Sequence, residues 1–392
     1  RDHSASMTPT SRSTGPAFHH IYVHIPFCVR KCPYCDFYST SGPADRTTFL
    51  RALESEIRIR NEQFGPFADI QTLYVGGGTP SRLDAPELET LGAILRSALQ
   101  FAPDYEWSVE ANPESLSPSN AEQMRAMGVT RVSLGVQSLA PGVLSFLRRA
   151  HTAADARSAL RFLAEARFRS WNADVMFGIA GQSLQMLADT LREVLAYDPP
   201  HLSAYGLTIE PGSKYAEVAD SSRFCNGEQA TAEQYEYVVA ALESAGYALY
   251  EVSNFARPGH ECQHNRAYWA RRPYLGFGPS AHSFDGHARW WNTRDLETYQ
   301  ARCLRGQIPT AETEVLTSRE TTEEIVLLSL RTKEGLRWDS LPDASHADAR
   351  AALDPLRAAG LLDVDENGCR LSRRGFIVGD AVIRRVVELA CV

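Results

Sequence analysis

The stretch HIPFCVRKCPYCD, residues 24–36, sets Cys28, Cys32 and Cys35 in a CxxxCxxC spacing directly after an apolar run. Three thiols so close together could serve zinc, a redox pair or an iron–sulfur cluster. Zinc usually takes four ligands, commonly as two CxxC pairs. His24 could complete a Cys3His set, but no second knuckle accompanies this loop. A thioredoxin-type pair could form between Cys32 and Cys35, which leaves Cys28 without a role. An iron–sulfur cluster fits the donor set best, because thiolates are soft ligands. A four-iron cluster has four corners and this loop fills three. One iron is then open to a chelating ligand that carries a carboxylate and an amine.

The elements that must position this loop follow from apolar patterning. Short β-branched and aromatic runs read as strands at 21–25, 70–75, 105–110, 130–136, 170–178 and 201–207. Between them, apolar residues at three- and four-residue spacing predict helices, among them Phe49–Ile59, Leu88–Leu99, Ala154–Ala166 and Leu184–Leu195. Six βα units imply right-handed crossovers and a parallel sheet, closed as a barrel or open. The polar residues cluster just after strands: the cysteine loop, GGGTP at 76–80, Glu110 and Gln137, with Asp174 inside the fifth strand. In α/β barrels the chemistry gathers at the C-terminal strand ends, so these units are expected to share one mouth and one ligand.

Composition limits the function classes. The 392 residues carry a formal charge of −8, with 44% hydrophobic and 22% charged residues. That balance argues against a general nucleic-acid or anionic-membrane binder. No apolar run approaches the roughly 18–20 residues that span a bilayer. The opening RDHSASMTPTSRSTGPAFHH lacks the apolar core of a signal peptide, Met7 is a candidate start, and residues 1–17 are expected to be a disordered tail. Cys225, Cys262, Cys303, Cys369 and Cys391 are scattered singly, which points to a reducing cytoplasm.

CxxxCxxC after the first strand of a repeating βα domain, with Tyr34 before the last cysteine, resembles the radical S-adenosylmethionine superfamily. The resemblance implies a [4Fe-4S] cluster on Cys28, Cys32 and Cys35, whose open iron binds S-adenosylmethionine and whose electron cleaves it to a radical. It implies a partial (β/α)6 barrel of the TIM type over residues 18–215. The cofactor contacts it implies are Tyr22, Tyr34, Gly77, Gly78, Thr79, Glu110, Gln137, Arg149 and Asp174. Among these, Gln137 and Asp174 would meet ribose hydroxyls, and Arg149 and Glu110 the methionyl end.

Two groups of the superfamily are in view. The oxygen-independent coproporphyrinogen III dehydrogenases carry CxxxCxxCxC and a longer leading segment, whereas this chain has Phe37 two residues after Cys35 and 27 residues before Cys28. The sister group, the heme chaperones called HemW, ends its loop in CxF and has an HNxxYW motif, which HNRAYW at 264–269 matches. Its histidine, His264, is the implied heme-binding residue, since imidazole is a common axial ligand of heme iron. Tyr268 and Trp269 offer flat apolar surface for a porphyrin. Cys262 and His282 are weaker ligand candidates, and LGFGPSAHSF at 275–284 reads as a tight turn near the site. The expected function is therefore heme transfer to apo-hemoproteins, respiratory ones included, with the decarboxylase as the alternative. Homodimerisation and peripheral membrane contact are compatible with it.

Residues 230–247 predict a helix and 248–256 a strand. The motif block to residue 308 is read as an extension of the barrel. From 309 to 392 helices and a short hairpin predict a mainly helical, winged-helix-like domain. DNA binding there is rejected on charge, because residues 333–392 hold 9 Lys/Arg against 10 Asp/Glu.

Overall fold

The computed structural model describes residues 17–341 and 352–390. Six strands run in the order expected: β1 His20–Ile25, β2 Phe67–Gly77, β3 Leu99–Ala111, β4 Arg131–Gln137, β5 Ser170–Phe177 and β6 His201–Gly206. They pair in parallel in that sequence. Helices between them cover the outer face, and all but the short Pro141–Phe146 start on a side chain that satisfies an otherwise orphaned N–H group. Asp84 and Glu87 close a capping box on Ala85–Ala98, and Thr152 and Asp155 do so on Ala153–Glu165. β1, β4 and β5 are buried along almost their whole length, as expected for a sheet covered on both faces.

The expectation of an all-parallel sheet needs correction at both ends. The strand predicted over 248–256 is a pair, β7 Ala248–Glu251 and β8 Asn254–Ala256, with β8 antiparallel to β6. On the other side β9 Tyr274–Phe277 lies parallel to β1, followed by antiparallel β10 His282–Phe284, β11 Ala288–Asn292 and β12 Thr310–Val315. The sheet therefore has twelve strands in the order β12-β11-β10-β9-β1-β2-β3-β4-β5-β6-β8-β7, and it stays open. The segment 275–284, read as a turn, supplies β9 and β10; its turn is confined to Gly278–Ala281.

After Ser318–Ser329, a helix as predicted, come a three-stranded antiparallel sheet and the helices Arg373–Ile377 and Gly379–Ala390. The hairpin Leu362–Val364 with Gly368–Leu371 is the wing-like element. The expected tail falls, apart from Ala17, outside the described residues, as do Cys391 and residues 342–351 of the expected C-terminal domain. None of the described helices is long and apolar enough to cross a membrane.

Candidate functional site

Register decides which side chains share the inner face. Across the parallel strands, His24, Gly76, Glu110, Ser133 and Asn172 form one row, and Asp174 stands beside Ser203 in the next. The N-terminal neighbour row is Tyr22, Tyr74, Ser108 and Arg131, and below it lies His20, Thr72 and Glu106. A period of two puts every one of these on the same face.

At the C-terminal strand ends a cavity of about 160 Å³ is lined by Cys28, Cys32, Cys35, Tyr34, Gly77, Gly78, Thr79, Glu110, Gln137, Arg149 and Asp174. Of the predicted site residues, all except Tyr22 and His264 meet there. It adjoins a chamber of about 640 Å³ inside the sheet, with Tyr34, Cys35, Phe37, Glu110, Ser133, Asp174 and Tyr205 common to both walls.

The loop is folded by a turn in which Cys35 N–H donates to Cys32 O at 3.1 Å. Cys28 Sγ lies 3.5 Å from Thr79 Oγ1. Arg149 Nη1 reaches Cys32 Sγ at 3.7 Å and the Tyr34 hydroxyl at 3.3 Å, while its Nη2 donates to Asn112 Oδ1 at 2.5 Å and Gly135 O at 3.2 Å. Its Nε is buried with no partner. Burial pushes the Cys35 thiol up to about 11, so it becomes a thiolate only with a positive partner.

The glycines are required by contact. Gly77 has φ +108°, and a Cβ there would stand 2.5 Å from the His24 ring; one on Gly78 would meet Ile25 O at 2.9 Å. This lets the 76–78 segment press on β1 and leaves Gly77 N–H donating to Glu110 Oε2 at 3.1 Å. Tyr74 donates to the other Glu110 oxygen at 2.9 Å. Burial pushes Glu110 up to about 7 and Asp174 up to about 6. Gln137 ends β4 with φ 63°, an uncommon conformation for a side-chain-bearing residue, and accepts from the Tyr205 hydroxyl at 2.8 Å.

These residues fit a cluster with S-adenosylmethionine. Three thiols rim one cavity. The glycine cradle, the unpartnered Arg149 Nε and two buried carboxyls provide for a ligand with both carboxylate and cationic groups. Asn112, Glu114, Ser133 and Tyr205 also line the cavity and were missed from sequence. Strand alternation from Glu110 and the neighbouring strands would have found Ser133; Asn112 bears no comparable signal.

Tyr22 points into the sheet interior, 3.1 Å from His24 Nδ1 and stacked on Tyr74, rather than lining the cavity. His264 lies on the helix Gln263–Trp269, is 1% exposed, and lines neither space. Its ring stacks on Tyr74 at 5.2 Å and meets Tyr268 edge-on at 4.6 Å. Burial holds it neutral, its imidazole lowered to about 3. Cys262 lines the chamber beside Glu106 Oε1, with its thiol pushed up to about 12 by burial, and His282 stacks on Trp291 at the sheet's outer strands.

With this geometry in view, the family model described as the Radical SAM superfamily matches residues 22–194, and that of the HemN C-terminal domain matches residues 316–378. The heme chaperone HemW of Mycobacterium tuberculosis (strain H37Rv) is 38% identical over 372 residues, 94% of each chain. That of Bacillus subtilis is 32% identical over 92% of this chain and 97% of its own. Among solved structures, coproporphyrinogen III oxidase (HemN) from Escherichia coli, a radical SAM enzyme, superposes with a TM-score of 0.80 at 26% identity, covering 97% of this chain and 91% of that one.

Proposed function

The chain belongs to the HemW family of heme chaperones, within the radical S-adenosylmethionine superfamily, and on that premise we propose that it binds heme and passes it to apo-hemoproteins. The observation that carries this reading is the identity to heme chaperones over nearly the whole chain, joined to Phe37 where the decarboxylating relatives have a fourth loop cysteine. Phe37 is 67% exposed and lines both spaces. Cys28, Cys32 and Cys35 would hold a [4Fe-4S] cluster. Gly77, Gly78, Thr79, Glu110, Gln137, Arg149, Asp174 and Tyr34 would hold S-adenosylmethionine, and Tyr22 would support that site through Tyr74. When bound, this pair supplies one-electron chemistry. The chain's own part is to orient: Arg149 ties the loop to Asn112, and the glycine cradle fixes the Glu110 carboxyl.

Heme belongs by this reading at the HNxxYW helix, with His264 as the iron ligand. Beside that helix Asn265, Tyr268, Trp269, Val252, Leu328 and Arg331 line a groove of about 460 Å³, within the size range of small-molecule sites. Residues 18–215 would act as the cofactor-binding barrel, 216–308 as its motif-bearing extension and 309–392 as a mainly helical appendage. Apo-hemoproteins in the cytoplasm, respiratory ones among them, are the acceptors, and homodimerisation and peripheral membrane contact belong to the same reading. Anaerobically reconstituted protein titrated with heme should bind about one per chain with the Soret signature of histidine ligation. His264→Ala should shift that band while the cluster remains; an unchanged band would remove His264 from the site.

A further inference from the structure

The lowest interior row of the sheet is the line His20, Thr72 and Glu106, neighbours across β1, β2 and β3. The motif helix docks its N-terminus on this row, where Glu106 Oε1 accepts from Gln263 N–H at 3.0 Å and His264 N–H at 3.3 Å. That places the His264 ring against Thr72, with Nδ1 at 2.7 Å from Oγ1, while the same Oγ1 is 2.9 Å from His20 Nδ1. His264 Nε2 is buried and has no hydrogen-bond partner.

Counting hydrogens fixes the direction of this chain. A hydroxyl has one hydrogen to give, so of the two imidazole Nδ1 atoms facing Thr72 one must accept and the other donate. If His264 carried its hydrogen on Nε2, a buried N–H would be orphaned. If it carries it on Nδ1, the unused atom is an acceptor, and under-used buried acceptors are tolerated more readily than orphaned donors. His264 Nδ1–H then donates to Thr72 Oγ1, and the Thr72 hydroxyl donates to His20 Nδ1. Each atom facing Thr72 then has one role, and the buried ring nitrogen left without a partner is His264 Nε2, as a lone pair.

We propose that Thr72, backed by His20, is a positioning residue that fixes the orientation and tautomer of His264 so that its Nε2 lone pair is presented as an iron ligand, an inference that rests on the heme-chaperone reading. Metal-binding histidines commonly donate their other ring N–H to a fixed partner, and here the partner is a hydroxyl set by strand register. The His264 ring packs against a wall residue of each adjacent space: Tyr74 lines the chamber and Tyr268 lines the groove beside the motif helix.

The tautomer can be read in the full chain before any heme is added, by long-range proton–nitrogen correlation of 15N-labelled histidines, with His264→Ala identifying the signal. His264 should be the Nδ1–H tautomer in the wild type and in Thr72→Ser, and should lose that preference in Thr72→Val. An Nε2–H tautomer in the wild type overturns the proposal. With hemin bound, Thr72→Val should release it about 10–100-fold faster, the usual effect of losing an outer-shell partner, with an altered electron paramagnetic resonance signature, and Thr72→Ser should restore both. If His264→Ala leaves the heme spectrum unchanged, the ligand assignment fails and takes the proposal with it. If His264→Ala abolishes the signature but Thr72→Val releases heme as the wild type does, the positioning role alone fails.

Discussion

Glu110 and Asp174 hold their protons well into the neutral range, to about 7 and about 6 against ordinary values of 4.5 and 3.8, because burial disfavours their charged forms. The folded chain therefore keeps protons that the unfolded chain releases near pH 4. Stability of the ligand-free protein should fall as pH rises from about 4 to 7 and level off above it. A ligand with a cationic amine and sulfonium favours the ionised carboxyls, so S-adenosylmethionine affinity should rise through the same window, and Glu110→Gln should flatten that rise. Calorimetric titrations between pH 5.5 and 8 check this; a pH-independent affinity in the wild type contradicts it. The cysteines make a second residue-scale test. Reconstituted protein should contain about four iron and four sulfide per chain, lost in Cys28→Ala, Cys32→Ala or Cys35→Ala and kept in Cys225→Ala and Cys303→Ala. Cluster loss in the last two would reassign the ligands.

Among elements, the motif helix shows how local sequence and tertiary setting divide the information. HNRAYW announces itself by composition, but seven residues are too few for a helical period to emerge, and an isolated helix so short is not stable in water. What makes it a helix is Glu106, which accepts two of its first N–H groups, steadied by Arg131 at 3.7 Å with both side chains buried. Neither partner is near the motif in sequence. Glu106→Ala should destabilise the fold by about 3–5 kcal/mol, the range for stranding one member of a buried ion pair. Glu106→Gln should cost less, because the amide oxygen still accepts. Chemical denaturation measures both, and an unaltered midpoint in Glu106→Ala would separate the helix from this anchor. The segment 248–256 fails as a single strand for a related reason: Val252 and Ser253 turn between β7 and β8, and no glycine or proline marks the turn.

For the molecule as a whole, the six parallel strands and their helices were legible because each unit repeats one apolar rhythm, and the cysteine loop, GGGTP, Glu110, Gln137 and Arg149 converge as the strand ends require. The four outer strands β9–β12 were not, since their short Trp-, Tyr- and Gly-rich runs gain strand character from the sheet edge they extend. Nor was the burial of His264, which depends on Tyr74 from a distant part of the chain. The central claim, that this fold serves heme transfer, is tested most directly on one anaerobically reconstituted sample offered heme with an apo-hemoprotein acceptor, and coproporphyrinogen III with S-adenosylmethionine and a reductant. Heme should move to the acceptor at a rate that rises with acceptor concentration, and no protoporphyrinogen IX should form. Turnover of coproporphyrinogen III without acceptor-dependent transfer of heme would contradict it.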